Sequence, residues 1–184
     1  GTFAMRNSTI HNNIADPYSA GGVLVGQNAA GVFSFCTISN NTGGILGGLY
    51  LDIDTSVILA GTIISNNRRG SDDSLINCAG NSFQTTLYNL EDDNDCGLSA
   101  GTNLINTDPK LGGLTRDGGL TPTLPLLSGS PAIDAVVVGT TLTEDQRGKP
   151  RPKGEYPDMG AYEYYGPVCF PVRSTDGTGT IICM

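Results

Sequence analysis

Apolar residues in the first part of the chain sit in short runs bounded by small polar ones, and the runs return at a fixed interval. Ser8-Thr9-Ile10-His11-Asn12-Asn13 aligns without gaps with Cys36-Thr37-Ile38-Ser39-Asn40-Asn41 and with Thr62-Ile63-Ile64-Ser65-Asn66-Asn67. A second block follows each of these. Gly21-Gly22-Val23-Leu24-Val25 aligns with Gly47-Gly48-Leu49-Tyr50-Leu51 and then with Asp73-Ser74-Leu75-Ile76-Asn77. The offset is 26 residues from Ile38 to Ile64 and again from Gly22 to Gly48 to Ser74; it is 28 from Ile10 to Ile38. The two extra residues fall at Ala15-Asp16-Pro17-Tyr18.

A unit of this length cannot bury its own apolar face, so successive units must stack. Short β runs stacked coil on coil predict an all-β, parallel β-helix. Ile10, Ile38 and Ile64 then form one inward column, and Ser8, Cys36 and Thr62, two residues earlier, share that face by the strand period. Asn tolerates left-handed backbone and bonds locally, so Asn12, Asn40 and Asn66 are expected at the bend between strands, stacked as a turn ladder. A row of asparagines can also bind sugar, but the structural role needs nothing further. Thr2-Phe3-Ala4-Met5 takes the place of Val32-Phe33-Ser34-Phe35, so the chain is expected to start mid-coil, with more coils upstream.

Composition agrees with this reading. With 26 Gly, 10 Pro and only 15% charged residues, strands and tight turns are favoured over helices. A net charge of −8 argues against nucleic acid, whose phosphates call for clustered Lys and Arg. No stretch reaches the ~18 apolar residues of a membrane span, and residues 1–6 carry neither the basic n-region nor the apolar h-region of a signal peptide.

The 5 cysteines point to an oxidising compartment. Four of them allow three pairings; the sequence-local one, Cys78 with Cys96 and Cys169 with Cys183, is expected. Cys36 is expected as a buried free thiol. The lone His11 cannot supply a zinc site. Glu91-Asp92-Asp93-Asn94-Asp95 presents oxygen ligands for calcium, with Asp92, Asp93 and Asp95 the candidates, although the spacing is not that of an EF-hand and a solvated acidic turn is the simpler reading. No other cofactor is expected.

Beyond residue 76 the repeat gives way to ordered blocks. They are Asn77-Cys78, Tyr88-Asn89-Leu90-Glu91-Asp92-Asp93-Asn94-Asp95-Cys96-Gly97, Asn106-Thr107-Asp108-Pro109, Asp117-Gly118-Gly119-Leu120-Thr121-Pro122, Ser130-Pro131-Ala132-Ile133-Asp134, Asp145-Gln146-Arg147-Gly148-Lys149-Pro150-Arg151-Pro152 and Asp158-Met159-Gly160-Ala161-Tyr162-Glu163. Over residues 77–165 this series resembles choice-of-anchor Q domain proteins of bacterial cell surfaces. The resemblance implies a right-handed parallel β-helix with an irregular C-terminal cap, extracellular or surface-held. After Tyr165 there is no sorting motif, membrane helix or basic tail of the kind such anchoring uses.

The expected organisation is therefore coils over 1–76, a disulfide-stapled cap over 77–165 and a disulfide-closed hairpin, turning at Asp176-Gly177, over 166–184. Arg147 and Arg151 beside Asp145, Asp158 and Glu163 are expected to hold irregular cap backbone through charge-assisted pairs, closing the open end of the last coil. The function expected is a non-catalytic surface, adhesion or assembly module, with carbohydrate, other surface proteins or its own copies as partners. Two alternatives stand beside it. One is the C-terminal part of a polysaccharide-active enzyme whose site lies on upstream coils, since the acids Asp16, Asp52, Asp54, Asp72 and Asp73 and the bases Arg6, Arg68 and Arg69 show no catalytic pairing. The other is a subunit that polymerises end to end.

Overall fold

The computed structural model describes residues 1–166, 169–173 and 179–183, the side chains of Thr85 and of the last two segments excepted. The first coil consists of β1 (Thr2–Arg6), β2 (Thr9–His11) and β3 (Val23–Val25). The second consists of β4 (Ala30–Ser34), β5 (Thr37–Ser39), β6 (Thr42–Gly43) and β7 (Leu49–Leu51). The third holds β8 (Ser56–Ala60), β9 (Ile63–Ser65), β10 (Arg68–Arg69) and β11 (Cys78–Gly80), and β12 (Thr85–Leu87) and β13 (Leu90–Glu91) begin a fourth. Parallel pairing runs β1-β4-β8-β12, β2-β5-β9-β13 and β3-β7-β11. The molecule is an all-β solenoid of about three turns, as the repeat predicts. Separately, β14 (Cys169–Arg173) and β15 (Gly179–Cys183) pair antiparallel with Cys169 opposite Cys183. Their side chains, the turn at Asp176-Gly177 and hence the expected second disulfide lie outside the described residues.

Ile10 stands in register with Ile38, and Ile38 with Ile64. The column is inward: Ile38 and Ile64 are fully buried with Cys36, Phe33, Leu49, Leu51, Val57 and Leu59 in one core cluster. Each such side chain contributes about 1.5–3 kcal/mol of transfer free energy. Cys36 is the buried free thiol expected of it; burial pushes its thiol up to about 11.

The coil closes its loop by left-handed residues stacked at its corners. Asn12, Asn40 and Asn66 take φ of 56°, 57° and 54°, placing them at the bend after β2, β5 and β9. A second column, Asn7, Phe35, Gly61 and Tyr88, takes φ of 44°, 52°, 59° and 55° before the same strands. Bulky residues occupy this region only where surrounding contacts hold them there. Phe35 is so held, because its ring lies over Gly61, where a Cβ would come within 3.0 Å of it.

Two register expectations are corrected. Thr2 pairs with Ala30 and Met5 with Phe33, two residues from the predicted overlay, because the 28-residue offset of the first coil applies to β1 as well as to β2. In the third coil Cys78, and not Leu75, lies against Leu49, a step of 29 residues. The loop Gly70-Ser71-Asp72-Asp73 absorbs the surplus, with Arg69 donating to Asp72. The shift brings Cys78 into the core, where it forms a disulfide with Cys96.

The segment after the coils does two things. Residues 96–107 cross the C-terminal end of the solenoid: the Glu91 amide donates to the Leu104 carbonyl and the Leu104 amide to the Asn89 carbonyl, 2.9 and 2.8 Å, while Cys96, Leu98 and Ile105 pack onto the inner core. Residues 130–164 lie along the side of the solenoid, where a cover for the end was expected. This strap reaches every coil. Asn7 donates to the Glu144 carbonyl, Thr9 to Gln146, the Ala161 amide to Thr37, and the Gly160 amide to the Gly61 carbonyl. A second apolar cluster forms between them from Phe35, Ile63 and Leu90 on the coils and Ala132, Val136, Met159 and Tyr162 on the strap. Ile64 therefore faces the lumen and its neighbour Ile63 the strap, which is why every residue of β5 and β9 is buried.

Candidate functional site

The densest cluster of charge lies where the strap folds back on itself. Few ladder bonds are available among its prolines and glycines, so side chains satisfy the backbone instead. Asp145 accepts from the amides of Arg147, Lys149 and Glu163 and from Arg147 Nε at 2.8 Å. The Arg147 guanidinium reaches the Asp145 carboxylate at 2.7 Å, donates to the Glu163 carbonyl at 2.6 Å, contacts Asp117, and stacks 3.5 Å above the Tyr162 ring centroid. Arg151 donates to the carbonyls of Asp158 and Gly160 at 2.7 and 3.0 Å, sits 3.5 Å from Glu163 Oε2, and covers the Phe35 ring. Asp158 accepts from the amides of Asp134 and Tyr164, and Glu163 from those of Lys153 and Asp158.

All five residues named from the sequence thus meet in one network, and all five are buried. Two further members, Asp117 and Tyr162, join through a 2.7 Å bond from the tyrosine hydroxyl to the carboxylate. Both stand in the ordered blocks quoted above, but Asp117 lies 30 residues from Arg147 and 45 from Tyr162, so no local spacing pairs them. Burial first, and then the neighbouring Glu163, pushes the Asp158 carboxyl up to about 7. The Glu163 carboxyl is likewise raised by burial, and Arg151 is lowered by it. The bond from Tyr162 holds the Asp117 carboxyl below the usual range.

The asparagine row divides its labour. Asn12, Asn40 and Asn66 make the bends, while the side-chain amide ladder runs one residue further on. Asn13 Nδ2 donates to Asn41 Oδ1 at 2.9 Å, Asn41 to Asn67 at 3.0 Å, Asn67 to Asn77 at 3.0 Å and Asn77 to Asp92 at 2.8 Å. Asn41, Asn67 and Asn77 are completely buried, so these three offer no face to a sugar, whereas Asn13 and the bend residues Asn12, Asn40 and Asn66 are exposed.

The acidic segment is bound up in the same framework. Asp92 accepts from the Asn66 amide and the Asn77 side chain, Asp93 from the Asn94 amide, and Asp95 from the amides of Asn77 and Cys78. Asp95 is near the Cys78 and Cys96 sulfurs, but sulfurs joined in a disulfide are not thiolates and make poor ligands. Glu91, in register with Ile64 and wholly buried, accepts from the Cys96 amide through Oε2 and leaves Oε1 without a partner. The sequence pattern read Glu91 as part of an exposed acidic turn; its position in the Ile10-Ile38-Ile64 column was the available signal.

A cleft of about 290 Å³ opens between the coil corners and the strap, lined by Arg6, Phe35, Gly61, Tyr88, Val136 and Leu142 among others. No carboxylate lines it. Asp52 accepts from the Ile53 amide and Asp54 sits exposed in a left-handed turn, φ 57°. Arg68 and Arg69 pair with Asp73 and Asp72 on the surface.

No family model, no curated protein and no solved structure matches this chain. What fold and site define together is a β-solenoid with a laterally strapped, internally charged C-terminal region. The likeness to choice-of-anchor Q domain proteins rests on the sequence blocks alone.

Proposed function

We propose that this chain is a non-catalytic module of an extracellular or cell-surface protein, serving adhesion or assembly. The observation that carries the reading is the use made of its buried charge. Asp145, Asp158 and Glu163, the buried carboxylates grouped around Arg147 and Arg151, each accept from at least two backbone amides. A glycosidase needs two carboxylates about 5–10 Å apart across an accessible sugar, and groups fixed in this way are neither accessible nor free to exchange protons with a substrate. The internal disulfide Cys78–Cys96 and the absence, among the described residues, of a helix long and apolar enough to cross a membrane are compatible with an extracellular setting. The blocks that resemble choice-of-anchor Q proteins support the same setting.

Polymerisation end to end has less support, because residues 96–107 occupy the C-terminal end against which a second copy would stack. The reading is tested by incubating the full chain with neutral and uronate polysaccharides and following both reducing-end release and the absorbance of unsaturated uronates. No turnover is expected. Release that disappears on replacing a solenoid carboxylate such as Asp52→Asn would establish the enzyme instead.

A further inference from the structure

We propose that Glu91 makes the C-terminal closure of the solenoid a pH-sensitive clasp, held shut with its carboxyl neutral and loosened when that carboxyl ionises. The geometry that carries this is the place of a carboxylic acid in an apolar column. β13 puts Glu91 directly beyond Ile64, with no exposed surface. One oxygen takes the Cys96 amide at 3.1 Å; the other has no partner. A carboxylate with an orphaned oxygen in such surroundings is costly, whereas the neutral acid is not.

The same residue ties the closing segment to the last coil through its backbone, donating to the Leu104 carbonyl and accepting from the Thr107 amide. The groups facing Glu91 reinforce the effect. On its own loop stand Asp93 and Asp95, both acidic; from β9 comes Ile64; from β11 and the closing segment come Cys78 and Cys96, which as a disulfide do not titrate. The basic residues of β10 pair with Asp72 and Asp73, and among the described residues no cation acts on Glu91.

Burial first, then Asp95 and Asp93, pushes the Glu91 carboxyl up to about 7 from 4.5. Asp95, exposed but hemmed in by the chain, is raised in the same direction. The sign follows from linkage. A group that binds its proton more tightly in the closed state stabilises closure fully below its open-state value, and that stability is lost as pH rises through the closed-state one. For Glu91 the window is therefore pH 4.5 to 7. Between pH 5.5 and 8.5 the opening constant rises about thirty-fold through Glu91 by the same linkage relation, and the exposed Asp95 adds at most a few-fold.

Amide hydrogen exchange on the full chain tests this, with rates corrected for intrinsic pH dependence. Protection of the Glu91, Cys96 and Leu104 amides should fall by about thirty-fold or more from pH 5.5 to 8.5, while that of Ile38 and Ile64, deep in the coils, stays level. Glu91→Gln should reduce the change to the few-fold left to Asp95. A wild-type profile that is level across the range, or a variant as steep as wild type, overturns the proposal. Should the variant not fold, carbon-13 titration of the Glu91 carboxyl in the wild type decides: a midpoint near 7 supports the clasp, and one near 4.5 sinks it. The clasp does not depend on the proposed surface role, and the glycan turnover assay can fail or succeed without touching it.

Discussion

Replacing Arg147 by alanine is the sharpest test of the strap. Its side chain has no exposed surface, nor does that of Asp145, which it meets at 2.7 Å. Removing one partner of a buried pair costs about 3–5 kcal/mol, because the other charge is left uncompensated. The structure places this case in the lower half of that range. Asp145 would keep three backbone donors, and the contact to Asp117, whose side chain is 43% exposed, adds little in water. The loss of the stacked Tyr162 face and of the bond to the Glu163 carbonyl keeps the figure at about 3 kcal/mol or above. For a chain of this length each kcal/mol lowers Tm by roughly 2–4 °C, so a fall of roughly 6–12 °C is expected by circular dichroism at neutral pH. Arg147→Lys, which keeps the charge and loses the planar fork, should fall between the two. A melting temperature within about 2 °C of wild type in a folded Arg147→Ala protein would refute the structural assignment of this network. An unchanged temperature together with lost turnover of a defined glycan would point to the enzyme.

Other consequences are as specific. Asn41→Ala removes both an acceptor and a donor from the buried amide ladder: Asn13 loses the acceptor of its amide and side chain, and the Ile10 carbonyl loses a donor, while the residue 41 amide still reaches Asn67 Oδ1; at about 1–3 kcal/mol for an unsatisfied buried group, a loss in that range should appear in urea denaturation, and no loss would show that the ladder is ornamental. The Cys36 thiol, fully buried and raised to about 11, should resist iodoacetamide at pH 8 in the native protein and react at once in denaturant, with mass spectrometry as the readout; rapid native labelling would contradict its placement in the lumen.

The repeat was legible because stacking imposes a constraint that sequence carries directly: an inward position in one coil must be inward in the next. Ile10, Ile38 and Ile64 obey it, and so do the asparagines at the bends. Loop length obeys no such rule, so the three surplus residues before β11 moved its register from Leu75 to Cys78 without a trace in the alignment. Ile63 beside Ile64 did carry a sign of burial on both faces, the mark of a strand covered on each side. Nothing in the pattern said that the cover would be residues 130–164. Contacts such as Thr37 to Ala161 span 124 residues, and no local periodicity encodes them. The five charged residues of the strap were recognisable as a set because they crowd among proline and glycine, where side chains must replace ladder bonds. Glu91 was misplaced for the opposite reason: surrounded by Asp92, Asp93 and Asp95, it read as one more surface charge.

The stacked register itself is open to a direct covalent measurement. Ser39 and Ser65 are register partners on β5 and β9, buried on the strap-facing side of the sheet with their hydroxyl oxygens 3.2 Å apart. Strands in a parallel pair lie about 4.8 Å apart, within the Cα separations of about 4.4–6.8 Å that a disulfide spans. The double variant Ser39→Cys, Ser65→Cys, refolded under oxidising conditions and digested without reduction, should yield one new linked peptide joining positions 39 and 65, with Cys78–Cys96 intact and Cys36 free. Recovery of both new thiols unlinked from folded protein, or linkage of either to Cys36, would contradict the coil-on-coil stacking from which everything else here follows.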